Sequence, residues 1–202
     1  LLLSIRLVPQ YGFWRGCYMV IFHAISAFCN AGFDLMGRNE AYSSLVAYEG
    51  DILVNLTIMA LIIIGGAGFL VWDDIHRNRL NFKKYLLHTK IVLITTGILI
   101  FGGALLFYLM EKDNVLAGMN VRERILGSLF SSVTPRTAGF NSVDTAALKD
   151  SSRILTMVLM FIGGSPGSTA GGVKVTTAVV MVLSTIAMVR GTHGVNILDR
   201  RL

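Results

Sequence analysis

Apolar positions along this chain form segments of two distinct lengths. Three segments, residues 52–72, 91–110 and 154–189, reach the ~20 residues that a helix needs to cross a hydrocarbon core. Two others, residues 13–28 and 125–133, are too short to cross comfortably, and polar residues and glycine follow each of them. Short apolar runs of this kind indicate re-entrant half-helices. The pattern predicts an all-α integral membrane protein in which a half-helix and its loop lie between two spans.

A similar short motif closes each predicted half-helix. Pro135 ends the second half-helix, because the residue before a proline is disfavoured in the α region. Irregular backbone at membrane depth is tolerated only inside protein or against water, and a ring of its carbonyls can replace the hydration shell of a monovalent cation. The C-terminal end of a half-helix also favours a nearby cation. The expected ion-filter residues, acting through backbone carbonyls, are Asn30, Ala31, Gly32, Thr137, Ala138 and Gly139.

The third long segment is interrupted by residues that cannot remain helical. One proline and five glycines lie within residues 163–172, yet apolar sequence resumes over 175–189. A phosphate-binding loop is excluded, since no strand precedes the segment and Gly172-Val173-Lys174-Val175 lacks the required Gly-Lys-Ser/Thr. A simple kink with Lys174 snorkelling to the membrane surface remains open. A gating loop is favoured over the kink, because ionisable residues within membranes usually mark ion pathways. Its expected residues are Gly164, Ser165, Gly167, Ser168, Thr169, Gly171, Gly172 and Lys174.

Composition and charge fix the expected orientation. Hydrophobic residues make up 53% of the 202 residues, and the mean hydropathy is +0.64. The net charge is +6, with basic residues clustered between the first two spans and after the third. Basic residues beside membrane spans usually face the cytoplasm, so we expect both clusters to lie on that side. This interpretation of the basic residues is favoured over nucleic-acid binding. The expected divisions are 1–74 (end of a span, pore loop and span), 75–89 (cytoplasmic linker), 90–190 (span, pore loop and a span interrupted by the intramembrane loop 163–174) and 191–202 (cytoplasmic tail).

Several residue types carry weaker signals. The four histidines are scattered without an intramembrane acid–base pair, so a membrane enzyme is disfavoured, and His23 is expected to be packed or hydrogen-bonded. Cys17 and Cys29 have no metal-binding spacing. Asp34, at the filter mouth, could concentrate cations or be an ordinary solvated carboxylate. The glycines within the spans are expected to serve helix packing; they are Gly65, Gly66, Gly68, Gly97, Gly102 and Gly103.

Three longer motifs together resemble the Trk/Ktr/HKT superfamily of potassium transporters, specifically the membrane subunit of a bacterial Ktr- or Trk-type system. They are residues 22–33 (FHAISAFCNAGF), 132–141 (SVTPRTAGFN) and 164–174 (GSPGSTAGGVK). The resemblance implies four span–pore-loop–span repeats around a single pore. Gly32 then matches the second repeat and Gly139 the third. Lys174 matches the lysine of the family's gating loop.

The same resemblance implies the cargo and the partners. The transported ion would be K⁺, with Na⁺ preference and sodium coupling left open, and no covalently bound cofactor is expected. The expected partners are a cytoplasmic RCK-type nucleotide-binding regulatory subunit, a second copy in a homodimer, and the lipid of the cytoplasmic membrane, but no nucleic acid. Because the first and fourth repeats are absent, a fragment covering part of the second repeat and all of the third is expected. A non-conducting scaffold from a decayed transporter gene is the alternative.

Overall fold

The computed structural model describes residues 1–38, 43–79 and 81–191, together with the backbone of two short strands. The described helices are α1 (Ser4–Tyr11), α2 (Phe13–Phe28), α3 (Ile52–Ala67), α4 (Phe69–Asn78), α5 (Leu87–Glu111), α6 (Val121–Val133), α7 (Asp150–Phe161) and α8 (Val175–Val189). Short 3₁₀ turns lie at Met36–Arg38, Val46–Tyr48 and Phe82–Lys84, and the strands β1 (Asn196–Ile197) and β2 (Arg200–Arg201) pair antiparallel. The helical class is confirmed. Within the expected tail 191–202, residues 192–195, 198, 199 and 202 lie outside the described residues.

Both predicted half-helices are present. Helix α2 occupies the predicted 13–28, and it is separated from α1 by Gly12, which has a positive φ of 80°. Helix α6 ends at Val133, two residues before Pro135, but begins at Val121 rather than at 125. The earlier start follows from a capping box, in which Asn120 and Glu123 satisfy each other's backbone N–H groups.

The segment 52–72, predicted as one span, is not one continuous helix. Helix α3 begins at Ile52 and ends at Ala67, and the preceding Asp51 is its N-cap, whose carboxylate accepts the N–H groups of Leu53 and Val54 at 2.9 and 3.2 Å. Helix α4 continues at an angle of 96° to α3. Gly68 forms the break with a φ of +89°, a conformation that costs glycine nothing. Its assignment to helix packing is therefore wrong.

One described helix, α5, is long and apolar enough to cross a membrane, and the bent pair α3–α4 qualifies as a second span if it is counted as one. Helix α5 packs against α6, and α2 packs against α1 and α3. The packing prediction holds for Gly65 and Gly103, where a Cβ would lie 1.9 Å from the Phe28 carbonyl oxygen and 2.3 Å from Ser132 Oγ. Among the described residues, Gly97 and Gly102 have no heavy atom within 4 Å of a Cβ position.

Helices α7 and α8 are joined by a loop that leaves the end of α7 and returns beside it. Ile162 and Val173 form a parallel bridge at the base of this loop, and both helices contact α5. The outer faces of α5 and α8 expose large apolar side chains, among them Phe101, Met181 and Val189. Such surfaces are typical of contact with lipid or with further protein.

Candidate functional site: two filter loops and an intramembrane loop

The two loops that follow the half-helices share an unusual backbone pattern. We call residues 30–32 and 137–139 the filter loops, after the role that the sequence predicts for their carbonyls. Asn30 and Gly32 have φ values of +51° and +72°, and Thr137 and Gly139 have φ values of +69° and +90°. The alanine between each pair keeps a negative φ. Asparagine visits the left-handed region readily, but a β-branched threonine there is a strained outlier. Strain of this kind persists only where the surrounding structure enforces it, and it concentrates at functional sites.

The two loops also lie side by side. A Cβ placed on Gly32 would lie 1.9 Å from the Ala138 carbonyl oxygen and 3.0 Å from the Gly139 Cα. A Cβ on Gly139 would lie 3.6 Å from the Gly32 Cα. The structure therefore brings the two predicted motifs into direct backbone contact, although more than a hundred residues separate them in sequence.

Hydrogen bonds determine which way several of the loop carbonyls point. Ala31 N donates to Ser26 O at 2.9 Å, while Ala138 N and Gly139 N donate to Thr134 O at 3.0 and 3.2 Å. In a planar trans peptide the carbonyl points opposite to the N–H. The carbonyls of Asn30, Thr137 and Ala138 therefore point away from the half-helices. An outward-facing set of carbonyl oxygens is what the predicted ion filter requires.

Three polar side chains around the filter loops are held by hydrogen bonds within the protein. Asn30 is buried against α3, and its amide is satisfied when the nitrogen is assigned to the position 3.2 Å from Ile62 O. His23 is buried as expected, with Nδ1 2.7 Å from Met19 O and Nε2 accepting from Leu35 N at 3.3 Å. Asp34 Oδ1 accepts from Met36 N at 2.9 Å. One oxygen of the Asp34 carboxylate thus caps a local turn.

The loop over residues 163–174, which we call the intramembrane loop after its predicted location, is folded onto itself by its own hydrogen bonds. Gly163 N donates to Val173 O at 3.0 Å, and Ser168 Oγ donates to Ser165 O at 2.6 Å. Gly167 and Gly172 have φ values of +70° and +73°. The Gly164 N donates to Gly171 O at 3.3 Å. The segment is therefore a compact loop with two left-handed glycine turns rather than a single bend.

Lys174 is bound within this loop. Its Nζ donates to Ala170 O at 2.7 Å, and the side chain is half-buried. The ammonium therefore bonds to a loop carbonyl, which differs from the extended side chain that the kink alternative requires.

The loop docks on the break between α3 and α4. Ser165 N donates to Gly66 O at 2.9 Å and Thr169 N donates to Gly65 O at 3.2 Å. In return, Phe69 N donates to Gly167 O at 3.1 Å. These are backbone groups that the helix termini leave unpaired, so the bend exposes the donors and acceptors that hold the loop.

The loop also contacts the end of α2 and the second filter loop. Thr169 Oγ1 donates to Phe28 O, at the C-terminus of α2, at 2.8 Å. Gly171 N donates to Thr137 Oγ1 at 3.2 Å. The side chain of the first residue in the second filter motif is therefore a hydrogen-bond acceptor for the intramembrane loop.

A cavity of about 580 Å³ borders the second filter loop. Its wall includes Ala31, Thr137 and Gly139 from the filter loops, and Thr156 and Met160 from α7. Among the residues that the structure describes, no group of three or more His, Cys, Asp or Glu side chains could hold a metal ion.

Three residues near the filter loops escaped the sequence prediction. Arg136 is 7% exposed; its Nη2 lies 3.3 Å from Thr96 Oγ1, and its Nε has no partner in the described part of the chain. Its charge inside an apolar region was a readable signal. Ser26 and Thr134 donate their hydroxyls to Phe33 O and Phe140 O. Serine and threonine are too common in membrane helices for the sequence to have singled them out.

Known proteins match this chain over almost its whole length. The family model described as TrkH, cation transport protein, matches residues 7–202. The potassium/sodium uptake protein NtpJ of Enterococcus hirae is 44% identical over 193 residues, which cover 94% of this chain and 41% of that protein. The Ktr system potassium uptake protein B of Bacillus subtilis is 46% identical, over 95% of this chain and 42% of that protein.

The potassium transporter TrkH from Vibrio parahaemolyticus has the same fold, with a TM-score of 0.74 over 99% of this chain and 43% of that structure, at 19% sequence identity. The chain spans about two-fifths of the length of the relatives that it matches. A family described as a cation transport protein also argues against the membrane-enzyme alternative. From the two half-helices, their adjoining filter loops and these matches, we conclude that the chain belongs to the TrkH family of cation transport proteins.

Proposed function

We propose that the complete gene product carries K⁺ across the cytoplasmic membrane, through a filter lined by carbonyls of the two loops. The observation that carries the proposal is the matching, adjoining backbone of the loops, with left-handed residues at Asn30, Gly32, Thr137 and Gly139. Carbonyls that point away from the half-helices would supply oxygen ligands for a dehydrated monovalent cation. The names of the relatives, which specify potassium or potassium/sodium uptake, agree with this cargo.

The filter proposal is tested by Gly139→Ser in the complete gene product, expressed in cells that lack their own potassium uptake. A φ of +90° is unfavourable for serine, so the Gly139 loop should relax and discriminate less well between K⁺ and Na⁺. Uptake of the two ions in competition measures the effect, normalised to the amount of protein in the membrane. An unchanged uptake ratio contradicts the assignment of Gly139 to the filter.

The intramembrane loop over 163–174 is proposed as the gate beneath this filter. Its support is the set of hydrogen bonds that join it to Phe28, to Thr137 and to the α3–α4 break. These bonds hold the loop at the inner end of both filter loops, where it would obstruct an ion that leaves the filter. Deletion of residues 164–172 should therefore raise K⁺ flux above that of the unaltered protein. A flux that stays at the unaltered level, with normal abundance in the membrane, excludes the loop as a barrier.

The Ktr system name of one relative implies several components. We extend the proposal to a cytoplasmic RCK-type nucleotide-binding subunit, to a homodimer and to contact with membrane lipid, with the linker 75–89 and the tail as docking surfaces. Co-expression with such a subunit should make K⁺ flux nucleotide-dependent, and size measurement in detergent should give a dimer. A non-conducting scaffold predicts no uptake at all.

A further inference from the structure

The hydroxyl groups of Ser26, in α2, and of Thr134, the residue that follows α6, make hydrogen bonds that differ from the usual pattern of helical hydroxyls. A serine or threonine within a helix usually donates backward to the carbonyl of residue i−4. Thr57, Ser128 and Thr156 follow this rule, at 2.6, 2.7 and 2.8 Å. Ser26 and Thr134 instead donate forward, across the filter loop, to Phe33 O at 2.7 Å and Phe140 O at 2.5 Å.

Each of these two residues holds its filter loop at two points. The Ser26 carbonyl accepts the N–H of Ala31, one residue before Gly32, and its hydroxyl holds the carbonyl of the residue after Gly32. The Thr134 carbonyl and hydroxyl do the same on either side of Gly139. The same device therefore occurs in two repeats whose half-helices differ in length and sequence.

The two bonds have opposite consequences for the row of carbonyl oxygens that would line the proposed filter. Holding the N–H before the glycine turns the carbonyls of Asn30 and Thr137 away from the half-helix. Holding the carbonyl after the glycine turns Phe33 O and Phe140 O toward the half-helix, where a cation on the filter side cannot reach them. The hydroxyls therefore fix where the carbonyl row ends and how far each glycine can move.

We propose that Ser26 and Thr134 are positioning residues, whose hydroxyls fix the outer end of the filter and thereby set its discrimination between K⁺ and Na⁺. The inference rests on the proposed function of the loops as a potassium filter. Discrimination between ions that differ only in radius requires oxygens held at fixed positions, or a fixed number of carbonyl dipoles. Loss of the hydroxyl bond would let Phe33 O or Phe140 O turn outward. This would change both the positions of the filter oxygens and the number of carbonyl dipoles around the ion.

The test compares three variants of the complete gene product. Thr134→Val removes the hydroxyl and keeps the branched shape, and Thr134→Ser restores the hydroxyl without the methyl group. Ser128→Ala removes a buried hydroxyl of α6, the helix that Thr134 follows, and this hydroxyl donates backward to Arg124 O. We measure the apparent K⁺ affinity, the maximal uptake rate and the inhibition by Na⁺, normalised to the protein in the membrane.

Thr134→Val should lower K⁺ over Na⁺ selectivity by roughly three- to tenfold, the range that corresponds to one lost hydrogen bond. Thr134→Ser should recover most of it, and Ser128→Ala should leave it unchanged. An equal loss in Ser128→Ala, or an unchanged selectivity in Thr134→Val, overturns the inference. If Thr134→Val fails to reach the membrane, Ser26→Ala applies the same test to the other loop.

The outcomes separate this inference from the proposed function. Failure of the unaltered protein to take up K⁺ contradicts the proposed function. Selective K⁺ uptake by the unaltered protein, with the same selectivity in Thr134→Val, contradicts the role of the hydroxyls and leaves the proposed function standing.

Discussion

Alanine substitution of the two filter glycines should have unequal effects, although both have positive φ. At Gly139 the nearest heavy atom to a new Cβ is the Gly32 Cα at 3.6 Å, which is an ordinary contact. Gly139→Ala should therefore cost only the backbone strain of a left-handed residue, about 1–3 kcal/mol. At Gly32 the same Cβ would lie 1.9 Å from Ala138 O, in addition to the strain of its φ of +72°.

The Gly32 contact requires the two filter loops to separate. Ordinary contact between such atoms begins near 3.4 Å, so Ala138 O must move away from Gly32 by about 1.5 Å. A displacement of this size removes the close fit of a carbonyl ring around a dehydrated ion. We expect Gly32→Ala to abolish K⁺ selectivity, and Gly139→Ala to reduce it while leaving measurable K⁺ preference.

The assay is uptake of K⁺ with competing Na⁺ by the complete gene product, in cells without other potassium uptake. Protein abundance in the membrane is measured for both variants, since misfolding would otherwise imitate loss of uptake. Gly37→Ala, where a Cβ meets nothing within 4 Å among the described residues and φ is not positive, serves as the control. Equal selectivity in the two filter variants, or a larger loss in Gly139→Ala, would refute the argument from loop contact.

Three further predictions concern the gate and the scaffold. Thr169→Val removes the bond between the loop and α2 and should raise resting K⁺ flux by about two- to tenfold, whereas Thr185→Val, which removes an exposed hydroxyl of α8, should not change it. Gly97→Ala should raise the unfolding temperature in detergent, since it improves helix propensity by ~1 kcal/mol without a clash, while Gly103→Ala should lower it because its Cβ meets Ser132 Oγ. Asp51→Ala should lower the same temperature by removing the N-cap of α3, worth ~1 kcal/mol; an unchanged value would show that neighbouring groups replace the cap.

The tertiary structure gives Arg136 a buried environment that its motif alone did not predict. The guanidinium of Arg136 is buried beside the filter loop and donates to Thr96, while its Nε has no partner within the described ranges, so its burial is costly in free energy. The sequence placed Arg136 inside a recognised motif, SVTPRTAGFN, but its direction toward α5 depends on the packing of α6 against that helix.

The sequence by itself determined the elements that depend on local chemistry. The apolar runs at 13–28 and 125–133 marked α2 and α6, Pro135 marked the end of α6, and the density of glycine over 163–172 marked the break between α7 and α8. These features follow from backbone propensity and from the length of continuous apolar runs, and both can be read from residues that are neighbours in sequence. Local patterns failed at Gly68, because an apolar run with three neighbouring glycines fits a packed span and a bent pair equally well.

Only the tertiary structure decided how these elements meet. Gly32 and Gly139 adjoin because α2 packs on α3, and α3 contacts α6. The loop reaches the filter because the break at Gly68 leaves the Gly65 and Gly66 carbonyls free to hold it. Both results depend on hydrogen bonds and packing between residues far apart in sequence, which a periodic pattern of apolar positions does not encode.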